Sequence, residues 1–166
     1  MNKLSKKELK NLESIFTRIQ RKVENGLNEL YELPPIRVAK VWKRDEGGGG
    51  KSISITGDTI EKAAVNYSSI SGKNLPDSSI ATKLKSTSKK FHALGVSVIA
   101  HPMNPFCPTS HMNVRIFLEL GKNNFIENWW IGGGFDLTPF FPTKDESSAL
   151  SLIHISEPTR LLSIGF

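Results

Sequence analysis

The stretch His111-Met-Asn-Val-Arg-Ile-Phe-Leu-Glu-Leu120 alternates between polar and apolar side chains. Successive side chains of a β-strand point to opposite faces of the sheet, so this pattern predicts a strand with one apolar face. The apolar face consists of Met112, Val114, Ile116 and Leu118, and the polar face begins with His111, Asn113 and Arg115. Alternation alone is also typical of an antiparallel strand whose polar face contacts only water.

Further strand candidates surround this one. Ser97-Val-Ile-Ala-His101 alternates and is rich in β-branched residues, which predicts a strand with Ser97, Ile99 and His101 on one face. The full set of predicted strands is 37–44, 52–56, 64–69, 95–101, 112–120 and 125–131, with a hairpin turn at 121–124. Because few helices separate these strands, we expect a large, mainly antiparallel sheet flanked by helices, in the α/β class of α+β type.

The N-terminal segment predicts a helix. Ser5 and Glu8 have the spacing of a capping box, and a stripe of apolar residues from Leu9 to Leu30 recurs with helical periodicity. The first 44 residues hold 11 of the 22 Lys and Arg and 5 of the 16 Asp and Glu, so their net charge of +6 equals that of the whole chain. No aromatic or arginine-rich pattern accompanies these lysines, so we interpret them as a solvated face and expect no nucleic-acid partner.

Composition indicates one modest globular domain of 166 residues, without a transmembrane span or signal peptide. The single Cys107 excludes an internal disulfide framework and fits a reducing, cytoplasmic compartment. The run Gly47-Gly-Gly-Gly50 fits neither the Walker phosphate loop nor the dinucleotide fingerprint, since Asp45 and Ser52 stand where glycines are required. It is either a flexible turn or backbone pressed closely against a neighbour or ligand.

Four blocks of the chain, in order, carry a family resemblance. They are the glycine run after Trp42-Lys-Arg44, Glu61-Lys-Ala-Ala-Val-Asn66, His101-Pro-Met-Asn-Pro-Phe-Cys-Pro-Thr-Ser-His111-Met-Asn-Val-Arg115, and Trp129-Trp-Ile-Gly-Gly-Gly-Phe-Asp136-Leu-Thr-Pro139. From about Val41 to Pro139 the chain resembles oxygen-dependent (aerobic) coproporphyrinogen III oxidase, an enzyme of haem biosynthesis.

The resemblance implies a reaction and its participants. Two propionate side chains of coproporphyrinogen III would be oxidatively decarboxylated to vinyl groups, giving protoporphyrinogen IX, carbon dioxide and hydrogen peroxide. Molecular oxygen would be the oxidant, no organic cofactor would be needed, and the parent protein would be a homodimer. A divalent metal is described for some family members.

Individual positions inherit expected roles from the resemblance. Ser97, Asn113, Val114 and Arg115 match substrate-contacting positions, and a guanidinium is suited to bidentate binding of a propionate. His111 matches a proposed proton donor, a role that suits an imidazole side chain.

The resemblance also implies roles for Asp136 and His101. Asp136, which we expect in a glycine-flanked loop, matches a residue proposed to engage the pyrrole N–H groups, with capping of that turn as the alternative. His101 matches a metal ligand of bacterial members. With His111 it makes an incomplete site, because three or more protein ligands are usual.

The C-terminal segment departs from the family. Leu150-Ser-Leu-Ile-His-Ile-Ser-Glu-Pro-Thr-Arg160 is the in-frame translation of a transposase-type sequencing adapter. We therefore expect residues 1–149 to be the N-terminal part of a single oxidase domain, truncated and inactive by itself, and residues 150–166 to be a non-native tail. The alternatives are a non-catalytic tetrapyrrole- or anion-binding module and a metal hydrolase that uses His101 and His111.

Overall fold

The computed structural model describes residues 3–73 and 90–141. Six strands form one antiparallel sheet in which each strand pairs with its chain neighbour, in the order β1 to β6. The strands are β1 (Ile36–Lys43), β2 (Gly48–Thr56), β3 (Ile60–Gly72), β4 (Lys90–Pro102), β5 (Thr109–Leu120) and β6 (Ile126–Thr138). The antiparallel sheet is thus confirmed. One helix, α1 (Lys6–Asn28), packs on it within the described residues, so flanking by several helices is not shown.

Helix α1 begins at the predicted capping box. The Glu8 backbone N–H donates to Ser5 Oγ at 3.1 Å, and the Ser5 backbone N–H donates to Glu8 Oε2 at 2.7 Å. Both bonds satisfy N–H groups that have no partner within the helix. The bond from the Ser5 backbone also lowers the pKa of the Glu8 carboxyl. The predicted start of the helix is therefore confirmed.

The core lies between α1 and the middle of the sheet. We call this side of the sheet the helix face. Phe16 of α1 packs there against fully buried side chains of β2 to β5, among them Ile53, Ile55, Val65, Leu94 and Val96. The apolar side of β5 contributes as the alternation predicts, since Ile116 and Leu118 are buried in this core.

The other side of the sheet, which we call the open face, faces away from α1. The alternation of side chains places there the odd-numbered residues of β4 and β5, and the even-numbered residues of β3 from Lys62 and of β6 from Asn128. The polar face of β5 predicted from the sequence is thus part of the open face. Ser97 and His101 of β4 lie on the same face.

Strand β6 is longer than the sequence indicated. It continues through Gly132, Gly133 and Gly134 as far as Thr138, paired with β5 throughout. Our expectation that Asp136 lies in a loop, or caps a turn there, is therefore wrong. The glycines suggested a loop, but a Cβ at Gly133 would collide with the Asn113 carbonyl oxygen, so glycine here permits a close approach of two strands.

The predicted turn at 121–124 is present as a short 3₁₀ helix, Lys122–Asn124, in which Asn123 and Asn124 have φ values of 57° and 61°.

The glycine run forms a turn at its start and is packed closely between neighbouring strands at its end. Gly47 and Gly48 have positive φ, and Gly48 to Gly50 belong to β2, where the backbones of β1 and β3 leave no room for a Cβ.

Residues 3–73 and 90–141 contain no helix that is long and apolar enough to cross a membrane. The adapter-like segment 150–166 lies outside the described residues.

Candidate active site

A concavity of about 340 Å³ lies on the open face above β4. One wall is formed by Asn66 and Ser68 of β3, and the opposite wall by Asn113 and Arg115 of β5. The floor between them is β4, where the side chains are small. The concavity therefore follows from sequence, because small residues in one strand between larger ones in its neighbours leave a trough.

Gly95 is the lowest point of this floor. A Cβ at this position would lie 3.2 Å from the Val114 carbonyl oxygen and 3.3 Å from the Arg115 Cβ, which is tighter than ordinary packing. Ser97 follows on the same face of β4 and lies directly across from Asn113. Three of the predicted substrate-binding residues, Ser97, Asn113 and Arg115, are thus brought together around one cavity.

The polar side chains of this cavity have unused hydrogen-bonding capacity. Asn66, Ser97, Asn113 and Arg115 make no side-chain hydrogen bond or ion pair in the part of the chain that the structure describes. The Arg115 side chain is exposed, so its guanidinium is hydrated and available. Unpaired donors around a concave surface are typical of a site for an anionic, hydrogen-bonding ligand.

His111 and Asp136 form a direct cross-strand pair next to this cavity. They are register partners in β5 and β6, which places their Cβ atoms about 4.5–5.5 Å apart. Thr138 Oγ1 donates a hydrogen bond to Asp136 Oδ2 at 3.2 Å, which orients the carboxylate. Both side chains are half-buried. The two predicted catalytic residues, far apart in sequence, are therefore neighbours.

Val114 differs from the other predicted substrate contacts. Its side chain lies on the helix face and packs against the core cluster. Only its backbone borders the cavity on the open face. Any contact of Val114 with a ligand there would involve the peptide group, because neighbouring residues of a strand cannot point to the same face.

His101 lies on the open face diagonal to His111, and its Nδ1 is 3.4 Å from Thr109 Oγ1. Nothing in residues 3–73 and 90–141 groups three or more His, Cys, Asp or Glu side chains closely enough to hold a metal ion. The residues described here therefore do not fit a metal site.

An aromatic stack borders the other end of the open face. The Phe117 ring lies between those of Phe91 and Trp130, with centroid distances of 5.0 Å and 4.4 Å and interplanar angles of 11° and 17°. Phe117 follows Arg115 on the same face of β5. The sequence analysis assigned no role to these rings, although alternation along β5 already placed Phe117 beside Arg115.

A buried polar network, not predicted from the sequence, lies on the helix face. Glu13 Oε1 accepts a hydrogen bond from Ser69 Oγ at 2.9 Å, Ser69 Oγ lies 3.1 Å from His92 Nε2, and Ser71 Oγ lies 2.7 Å from His92 Nδ1. Burial lowers the pKa of the His92 imidazole, opposed in part by the Glu13 carboxylate. No sequence pattern pointed to this network, because its members come from three elements.

A second concavity, of about 380 Å³, lies on the helix face of the sheet. Arg18 and Arg21 of α1 and Lys51 of β2 border it, together with Gln20 and Glu24. The Gln20 amide donates to the Lys51 and Val65 carbonyl oxygens, and Glu24 is paired with Arg37, so these two groups serve the packing of α1. This cavity lacks the adjacent His and Asp pair of the open face.

Comparison with known families complements this geometry. Residues 11–152 match the family model described as coproporphyrinogen III oxidase. The match includes all six strands and most of α1.

Proposed function

Because this chain belongs to the coproporphyrinogen III oxidase family, we propose that its open face binds coproporphyrinogen III for oxygen-dependent oxidative decarboxylation. The family places the chain in haem biosynthesis. The use of molecular oxygen, the roles of single residues, a cytoplasmic location and a homodimeric parent are parts of the proposal.

The proposed reaction acts on a propionate side chain. For each group, R–CH₂–CH₂–COOH and O₂ give R–CH=CH₂, CO₂ and H₂O₂. The bond between the carboxyl carbon and the adjacent CH₂ breaks and releases CO₂, and one hydrogen leaves the other CH₂, the one attached to the ring. Oxygen accepts two electrons and two protons, one from that carbon and one from the carboxyl group. Two such reactions convert coproporphyrinogen III to protoporphyrinogen IX.

Arg115 is proposed to hold a propionate. Its fork of N–H donors matches the two oxygens of a carboxylate, and Ser97 and Asn113 add uncharged donors beside it. A cavity of about 340 Å³ is at the small end of ligand pockets, so it suits one edge of a tetrapyrrole with its propionate.

Asp136 and His111 are proposed to act on protons. A carboxylate can accept hydrogen bonds from pyrrole N–H groups and, by withdrawing a proton, make the ring easier to oxidise. The neighbouring imidazole of His111 can donate a proton to the reduced oxygen. No step is assigned to a metal, because the described residues do not fit one.

The observation that carries this proposal is the convergence on one face of an arginine without a partner among residues 3–73 and 90–141, two uncharged donors and a cross-strand His and Asp pair. The sheet topology produces this convergence from strands that are separate in sequence. A solvated polar face would not require a glycine floor or place these five side chains together.

Binding of the substrate is the primary test. Coproporphyrinogen III is titrated under nitrogen, with its hexahydro ring kept reduced, and intrinsic tryptophan fluorescence is followed. Saturable binding supports the proposal, and absence of binding contradicts it. If turnover is seen, it should require air, and product formation under nitrogen would contradict oxygen dependence.

The proposed homodimer is tested separately by light scattering, which gives the molar mass of the protein in solution.

A further inference from the structure

The β3 wall of the cavity contains a residue to which neither the family resemblance nor the proposed mechanism assigns a role. Asn66 lies on the open face, directly across from Ser97 of β4, which is itself directly across from Asn113 of β5. The three side chains form a row across three strands. Asn66 and Ser68 line the cavity on the side opposite Asn113 and Arg115.

The spacing of the row decides what can fit in it. Neighbouring strands are about 4.8 Å apart, so the walls of β3 and β5 are separated by roughly 10 Å. The intervening floor is Gly95 and Ser97, which project little into this space. A group of the size of a carboxylate, lying above Gly95, is thus within reach of donors from both walls.

The chemistry of the two walls is complementary. A carboxylate offers about four acceptor positions, and a bidentate guanidinium uses two of them. The remaining positions need uncharged donors, and the Asn66 carboxamide has its donors unused among residues 3–73 and 90–141. An asparagine that served only the packing of β3 would be expected to bond to a neighbouring strand or side chain.

We propose that Asn66 is a substrate-binding residue whose side-chain N–H donates a hydrogen bond to the propionate carboxylate held by Arg115. This inference rests on the proposed function, because it requires a carboxylate at Arg115. It adds β3 to the site and makes the cavity a two-sided clamp for one propionate.

The experiment compares Asn66→Asp, Asn66→Ala and the matched control Asn11→Asp. The probe is coproporphyrin III, the oxidised tetracarboxylate, and its Kd for the 166-residue chain is measured by fluorescence anisotropy. Asn66→Asp nearly preserves the shape of the side chain but replaces a donor with a negative charge facing the propionate. Asn11 is exposed on α1, so Asn11→Asp introduces the same charge on the other side of the sheet.

We expect Asn66→Ala to weaken binding about tenfold, as for loss of a hydrogen bond to a charged group, and Asn66→Asp to weaken it further through repulsion. Asn11→Asp should bind as the unmodified chain does. Equal losses for Asn66→Asp and Asn66→Ala, or no loss in either, would overturn the inference. If Asn66→Asp does not give the native circular dichroism spectrum, Asn66→Ala decides alone, with unchanged affinity overturning the inference.

Arg115→Ala, measured in the same titration, separates this inference from the proposed function. A loss of affinity in Arg115→Ala with none in the Asn66 variants refutes only the role of Asn66. Unchanged affinity in Arg115→Ala refutes the propionate site itself, and the role of Asn66 with it.

Discussion

The guanidinium of Arg115 has two properties that a group needs in order to bind an anion. It is exposed at the rim of a concavity, and it has no ion-pair partner within residues 3–73 and 90–141. Arg37, by contrast, is engaged with Glu24 of α1 and connects the helix to the edge strand β1. Arginines of the same chain are thus distinguished by what the fold places beside them.

The geometry of Arg115, and not its charge alone, should matter for binding. Arg115→Lys keeps the positive charge but loses the two-pronged donor, so we expect coproporphyrin III to bind less tightly by about 1 kcal/mol, a smaller loss than for Arg115→Ala. Lys122→Ala, an exposed position in the 3₁₀ turn, should have little effect. Isothermal titration of both variants checks this, and equal affinities for the two would show that bidentate contact is absent.

His92 should make the fold sensitive to acid. Because burial lowers the pKa of His92 below the ordinary histidine value of 6.5, the unfolded chain binds the proton more readily than the folded chain. This contribution to stability is fully present above about pH 6.5 and is lost as the pH falls through the window between 6.5 and the lowered folded pKa.

The test for His92 is urea unfolding between pH 7.5 and 5. His92→Gln retains hydrogen-bonding capacity toward Ser69 and Ser71 but cannot be protonated, so its free energy of unfolding should fall less on acidification. Other titrating groups are common to both proteins and cancel in the difference. An identical pH dependence in both would contradict this assignment.

Among the elements, strands with clear alternation were predicted from sequence, and their boundaries were not. β5 was predicted to begin at Met112 and begins at Thr109, whereas β6 was predicted to end at Ile131 and ends at Thr138. The error in β6 has a physical cause. Glycine has a low strand propensity, but here close backbone approach to β5 requires it, and that requirement belongs to the pairing and not to the segment.

The start of α1 was predicted from two residues because capping is local. We expect Ser5→Ala to lower the free energy of unfolding by about 1 kcal/mol, since the Glu8 backbone N–H loses its acceptor. Ser14→Ala, at an exposed position within the same helix, should be neutral or slightly stabilising because alanine favours helix. Chemical denaturation gives the free energy of unfolding of both variants. Equal values for Ser5→Ala and Ser14→Ala would mean that the Ser5 cap does not stabilise the fold.

In the whole molecule, the two faces of the sheet differ in what covers them. α1 covers the apolar residues of β3 and β4 on one side, while the polar residues of the same strands remain on the other. Alternation predicted that His111, Asn113 and Arg115 share a face. It could not predict that Asp136 would be the cross-strand partner of His111, or that Asn66 would complete the cavity, because both depend on the register between strands, which the alternation within one strand does not give.

Each face of the sheet carries a cavity bordered by arginine, so the two faces can be compared directly. We expect the open face, and not the helix face, to bind the tetrapyrrole. Arg115 lines the cavity of the open face, and Arg18 lines that of the helix face; both are exposed. Replacing either with alanine removes the same side chain and the same charge.

The measurement is the Kd of coproporphyrin III for Arg115→Ala and Arg18→Ala, at equal ionic strength so that screening of the net charge is the same. We expect Arg115→Ala to bind about tenfold more weakly than the unmodified chain, or weaker still, and Arg18→Ala to bind with unchanged affinity. Equal losses in the two variants, or a loss confined to Arg18→Ala, would contradict it.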